Sequence, residues 1–138
     1  MGYAGHYIFK NVVIPTENIQ LSLDAINALY EPALMEKQAL GGRHDFRTGT
    51  MVERWYAGVE TPPNRKHKTL LEALDAWAFR SQTTNNGIEI IEYLFPTLGQ
   101  EDLLFDAIAP FVQQGAVIRG FGEGGAAWEI HFTSKGSI

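Results

Sequence analysis

Aromatic and β-branched residues crowd His6 to Ile14 (HYIFKNVVI) and stop at Pro15, a pattern that predicts a strand. After Thr16 the apolar positions Ile19, Leu23, Ile26 and Leu29 or Tyr30 recur at helical spacing. Glu17 sits in the first turn, where a carboxylate complements the helix dipole, so a helix is expected over Glu17 to Tyr30. Glu31-Pro32 interrupts it, and Ala33 to Leu40 is expected as a second short helical piece closed by Gly41-Gly42. Arg43 to Thr50 is polar and reads as loop, and Met51 to Val59 (MVERWYAGV) as a strand. Thr61-Pro62-Pro63-Asn64 marks a turn.

Thr69 and Glu72 have capping-box spacing, in which hydroxyl and carboxylate each satisfy an orphan amide of the first helical turn. The stripe Leu70, Leu71, Leu74, Trp77 and Ala78 then predicts a helix over Leu70 to Arg80. Asn85-Asn86-Gly87 signals a turn before a strand over Ile88 to Phe95, and Pro96 to Gly99 reads as loop. Glu101 and Asp102 open a third helix whose apolar face is Leu103, Leu104, Ala107, Ile108, Phe111 and Val112. Pro110 should kink or split that helix, and Gly115 should cap it. Ala116 to Phe121 and Ala127 to Phe132, joined by glycines, predict a terminal hairpin. The order β-α-(α)-β-α-β-α-β-β, with short strands and a closing hairpin, implies an α+β single domain spanning residues 1–138. Its sheet is expected to be mixed or mostly antiparallel, with about three helices on one face.

Composition narrows the chemistry. The chain has 138 residues, 45% of them hydrophobic, and no cysteine, so disulfides, thiol nucleophiles and thiolate zinc sites are out. No apolar run approaches the length of a membrane span, and the N-terminal residues resemble neither a signal peptide nor, with His6 in place of Ser or Thr, a myristoylation site. A cytoplasmic protein is expected. The net charge of −5 argues against direct nucleic-acid binding, but it is unevenly spread. Arg43, Arg47, Arg54, Arg65, Lys66 and Lys68 face only Asp45, Glu53 and Glu60, so residues 43–68 carry +3 and the remainder −8. His44, His67 and Trp55 lie in the same segment, where a ring beside cations suits a base, an aromatic anion or a protein interface, although Arg65 to Lys68 also reads as a solvated loop and Trp55 as core.

Familiar catalytic signatures are missing. Gly120 to Gly125 is glycine-rich, but no helix follows it to receive a phosphate, and a hairpin turn explains it better. The histidines His6, His44, His67 and His131 have no metal-ligand spacing, so neither a metal nor a cofactor is expected. Glu129 and His131 share a face of the last strand as a half-site would, though a solvated polar row has the same pattern. Trp77 reads as core; Trp128 is expected to pack on the third helix or to sit at a rim beside Glu129 and His131.

Leu98-Gly99-Gln100-Glu101-Asp102-Leu103-Leu104-Phe105, then Ile108-Ala109-Pro110-Phe111-Val112 and Gly122-Glu123-Gly124-Gly125-Ala126-Ala127-Trp128, resemble the closing region of small uncharacterised bacteriophage and prophage proteins. Those proteins read like LGxDExLFxAIAPFV followed by GEDGxxWxWxF, and Thr69 to Trp77 is similar to their TLEEALEEW helix. The chain departs where Gly124 stands for Asp and where Glu129-Ile130-His131 stands for an Arg- and Trp-containing strand. The family has no established activity, so the resemblance implies a setting rather than catalytic residues: a non-catalytic accessory protein that inhibits or modulates a host protein, such as a CRISPR-type defence complex. Two alternatives remain open from the residues themselves. One is a protein that sequesters a nucleotide or other small anion with Arg43, Arg47, Arg54, Lys66 and Lys68, stacking Trp55 or Trp128 on a base. The other is a phosphate-ester hydrolase using His44 or His67 as base and Arg47 as clamp. An edge strand of the hairpin, or the Ala33–Leu40 piece, also offers a route to a homodimer.

Overall fold

A computed structural model of the chain describes residues 3–45, 47–56, 66–133 and 136–137, with backbone alone for residues 3, 41–44, 50–55, 136 and 137. It is an α+β fold in which every described strand pair is antiparallel. The run expected as one strand is two. β1 (Tyr3–Lys10) and β2 (Val13–Pro15) belong to different sheets, because Asn11 turns the chain at φ +56°. Asn tolerates this left-handed region better than most residues, since its short side chain can bond locally.

A 3₁₀ turn at Thr16–Asn18 leads into α1 (Ile19–Ala28), and Pro32 starts α2 (Pro32–Gln38) at a position where its missing N–H is no loss. The polar stretch expected as loop pairs instead: β3 (Gly41–Asp45) and β4 (Thr50–Trp55) form a hairpin with an irregularity between Arg43 and His44. The strand expected to reach Val59 ends at Trp55, with Tyr56 buried beyond it, while residues 57–59 and the Pro62-Pro63 turn lie outside the described residues.

α3 (Leu70–Ala76) begins on the Thr69 hydroxyl, which accepts from the Glu72 amide at 3.2 Å. It stops four residues short of the expected Arg80. Ala78 takes φ +67°, and Phe79 opens a strand absent from the sequence expectation, β5 (Phe79–Thr84). Tertiary packing wins here. Phe79 is 1% exposed and meets Phe9, Tyr93 and Phe105 with ring centroids 5.2–5.9 Å apart. β5 turns through Asn85-Asn86 into β6 (Gly87–Tyr93), and β6 also takes β2 as neighbour. Gly87 is obligatory at φ +147°, since a Cβ there would lie 2.0 Å from the Ile14 carbonyl oxygen.

β7 (Thr97–Leu98) is a two-residue strand within the expected loop. α4 (Glu101–Ile108) gives way at Pro110 to a 3₁₀ turn, Ala109–Phe111, as the proline requires. The expected terminal hairpin is β8 (Val117–Gly122) and β9 (Ala127–Thr133), extended by β10 (Gly136–Ser137). The larger sheet runs β10-β9-β8-β1-β7, beside the three-stranded β2-β6-β5 and the β3-β4 hairpin. α1 packs on both α3 and α4. One core joins these layers, and Trp77, fully buried as expected, anchors it by donating from Nε1 to the Tyr30 hydroxyl at 2.7 Å. Among the described residues no helix is long and apolar enough to cross a membrane.

Candidate functional site

Strand register sorts β1, β8 and β9 into two faces. Tyr7, Gly120 and Trp128 align on one face, with Phe9, Ile118 and Ile130 in the next row, and this face meets the core. The other face carries His6, Phe121 and Ala127, then Ile8, Arg119 and Glu129, then Lys10, Val117 and His131. All but Phe121 and Val117 of these nine are exposed, so one side of the sheet stands uncovered among the described residues. Ile8, at its centre, is 50% exposed.

The face has its own electrostatics. Arg119 donates from Nε to one oxygen of Glu129 at 2.9 Å, and His131 Nε2 donates to the other at 2.9 Å. Together the His131 and Arg119 hydrogen bonds hold the Glu129 carboxyl below its ordinary range. The half-site expected from the Glu129/His131 spacing is therefore a solvated triad with Arg119. Beside it Lys10 has no ion-pair partner among the described residues. These side chains, with Ile8 and Val117 as floor, surround a concavity of about 300 Å³. One row away the His6 and Phe121 rings stack at 4.9 Å and 16°.

Trp128 parts company with Glu129 and His131, because alternation turns it to the inner face. It lies half-buried against Gly120 and meets Tyr7 edge-on at 6.2 Å; Tyr7 in turn meets Phe105 of α4 at 5.4 Å. The indole therefore belongs to the core side of the sheet.

The described side chains of the basic segment do not line the concavity beside Lys10. Arg43 and His44 lie on β3 and Arg54 and Trp55 on β4, where Arg43 pairs with Glu53; the side chains of all four lie outside the description, as does Arg65 altogether. Arg47 is exposed in the hairpin turn and Lys68 is exposed ahead of α3. Lys66 pairs with Glu31 at 2.8 Å on the surface. His67 is fastened to α1: its amide donates to the Asn27 side chain at 2.9 Å, its carbonyl accepts from the same side chain at 3.0 Å, and its ring meets Tyr30 at 6.0 Å.

A buried polar cluster went unread in the sequence. Glu101, 1% exposed at the start of α4, accepts from the Tyr7 hydroxyl at 3.0 Å and from the Gly99 amide. Tyr93 lies beside it and donates to the Thr97 carbonyl at 2.8 Å. Desolvation raises the Glu101 carboxyl above its ordinary value, against the pull of these hydrogen bonds. Burial, then the adjacent carboxylate, likewise raises both tyrosine hydroxyls. The Glu101 carboxylate is sealed from solutes; it ties the first turn of α4 to β1 and to the Gly99 amide, a larger task than the dipole complementation its position suggested. No pattern in a linear reading pairs Tyr7 with Glu101 across 94 residues. Among the described residues no group of three or more His, Asp or Glu could hold a metal ion.

Compared with protein-family models, curated proteins and solved structures, the chain has no significant match in any of the three.

Proposed function

We propose that this chain is a non-catalytic binding protein that modulates a bacterial host protein in a phage or prophage setting, and that the uncovered face of β1, β8 and β9 is its contact surface. One observation carries the reading: a three-stranded face with Ile8 half exposed at its centre, ringed by Lys10, Arg119, Glu129 and His131. An apolar centre with a polar rim is the anatomy of a protein interface. The likeness of the C-terminal region to phage and prophage proteins supports a host partner.

The test compares wild type with Ile8→Asp, which leaves the core untouched. Immobilised wild type should retain one stoichiometric partner from a bacterial host lysate, and its expression should weaken a CRISPR-type defence of that host in a plaque assay. Ile8→Asp should lose both effects while melting at the wild-type temperature. Equal retention and equal effect of the two proteins, or no partner for either, overturns the proposal.

A further inference from the structure

Lys10 and Arg119 are diagonal neighbours on the open face, since Lys10 pairs with Val117 and Arg119 lies two residues farther along β8. Diagonal positions on an antiparallel pair are about 7–8 Å apart, within joint reach of one small anion. Arg119 spends its Nε on Glu129, whose other oxygen holds His131, so the Glu129 carboxylate is satisfied while the two terminal nitrogens of Arg119 have no partner among the described residues. Lys10 has no such partner among the described residues. Two cations against one carboxylate leave this face at +1, while the rest of the chain carries −6 of the total −5. Ile8 and Val117 supply an apolar floor between the charges.

We infer that the concavity binds a carboxylate side chain of the partner, seated between Lys10 and Arg119, with the partner's adjacent apolar residue on Ile8 and Val117. The inference rests on the reading of this face as the contact surface and adds the chemistry of what it contacts. Charge complementarity selects an acidic protein segment over a nucleic acid. A short acidic segment needs only the local +1, whereas a polyanion running past the concavity meets an acidic body. Guanidinium and ammonium groups flanking one carboxylate give charge-assisted hydrogen bonds, with orientation coming chiefly from the planar Arg fork.

The probe is a capped hexapeptide of alternating Glu and Val, titrated into the ¹⁵N-labelled full chain and followed by amide chemical shifts. Shifts should concentrate at residues 8, 10, 117, 119 and 131, and binding should weaken by about ten-fold or more for the Gln/Val peptide and for Lys10→Glu. Lys10→Arg should retain binding, and salt near 0.5 M should suppress it, as screening of an exposed site demands. Equal binding of the Gln/Val peptide, stronger binding of a thymidine hexanucleotide, or a self-association in sedimentation that covers this face overturns the inference. The two proposals fail separately. If Ile8→Asp abolishes partner capture but the acidic peptide leaves these amides unmoved, only the carboxylate site falls. If the peptide binds as described but no host partner is found, the carboxylate site stands and the host-protein reading falls.

Discussion

Gly120→Ala tests whether the sheet beneath the open face is built around one indole. Gly120 is buried on β8 between Tyr7 of β1 and Trp128 of β9. A Cβ at this position would stand 2.3 Å from Trp128 Cε2 and 2.5 Å from its Cζ2 and Nε1. Ordinary carbon contact begins near 3.4 Å, so the rigid ring system must retreat by about 1 Å, away from Tyr7 and the core. Overpacking of this kind costs about 1–3 kcal/mol. Taking about 2 kcal/mol, a domain of this length should lose roughly 8 °C in Tm. Differential scanning calorimetry reads the loss, and a red shift of indole emission reads the displaced ring, with Trp128→Phe identifying its share of the signal from three tryptophans. The clash makes a sharper demand on the double variant. Once Trp128→Ala has removed the ring, adding Gly120→Ala should cost little, because the two residues act on one contact. A Gly120→Ala protein melting within a degree of wild type, or one equally destabilised in the Trp128→Ala background, refutes the reasoning.

Three further outcomes follow from single observations. Glu101 is raised in the folded state, so its contribution to stability is full below the ordinary carboxylate pKa and declines as pH rises through the raised value. The stability of Glu101→Gln relative to wild type should therefore increase between about pH 4 and pH 7 in urea melts, and a gap that is constant or shrinking with pH contradicts this. Ser22 is fully buried in α1 with its hydroxyl lacking a partner among the described residues, so Ser22→Ala should raise the urea midpoint by the equivalent of about 0.5–1 kcal/mol, and a lowered midpoint counts against it. Ala78 holds φ +67° at the end of α3. There Gly should be close to neutral, because strain relief offsets unfolded-state entropy, while Val should lose about 2 kcal/mol or more; equal melting of the two variants would exclude backbone strain as the reason.

The elements legible in the sequence were those with strong local signals. Thr69 caps α3 as its spacing to Glu72 indicated, Pro110 ends α4, Pro32 restarts the chain as α2, and the glycines after Phe121 turn β8 into β9. The misread elements had weak or conflicting ones. Helix propensity favoured carrying the stripe through Ala78 to Arg80, and no glycine marks the left-handed exit there; the place waiting for Phe79 among Phe9, Tyr93 and Phe105 decided otherwise. Asn11 similarly divides a run whose β-propensity is continuous on both sides.

For the candidate site the balance is different. Alternation along the last strand put Glu129 and His131 on one face from sequence alone, because side-chain direction in a strand depends only on the parity of position. Period two also fixes Trp128 on the opposite face, a consequence that became visible once β9 was in register with Gly120. Arg119, Lys10 and Ile8 entered the site only through the pairings β1-β8 and β8-β9, and Tyr7 met Glu101 only through packing of α4 on β1. Local chemistry thus determined the α+β class, the helix boundaries that carry caps or prolines, and, in the last strand, the shared face of Glu129 and His131. Strand pairing and core packing, which join residues about a hundred positions apart, decided which charges share a surface.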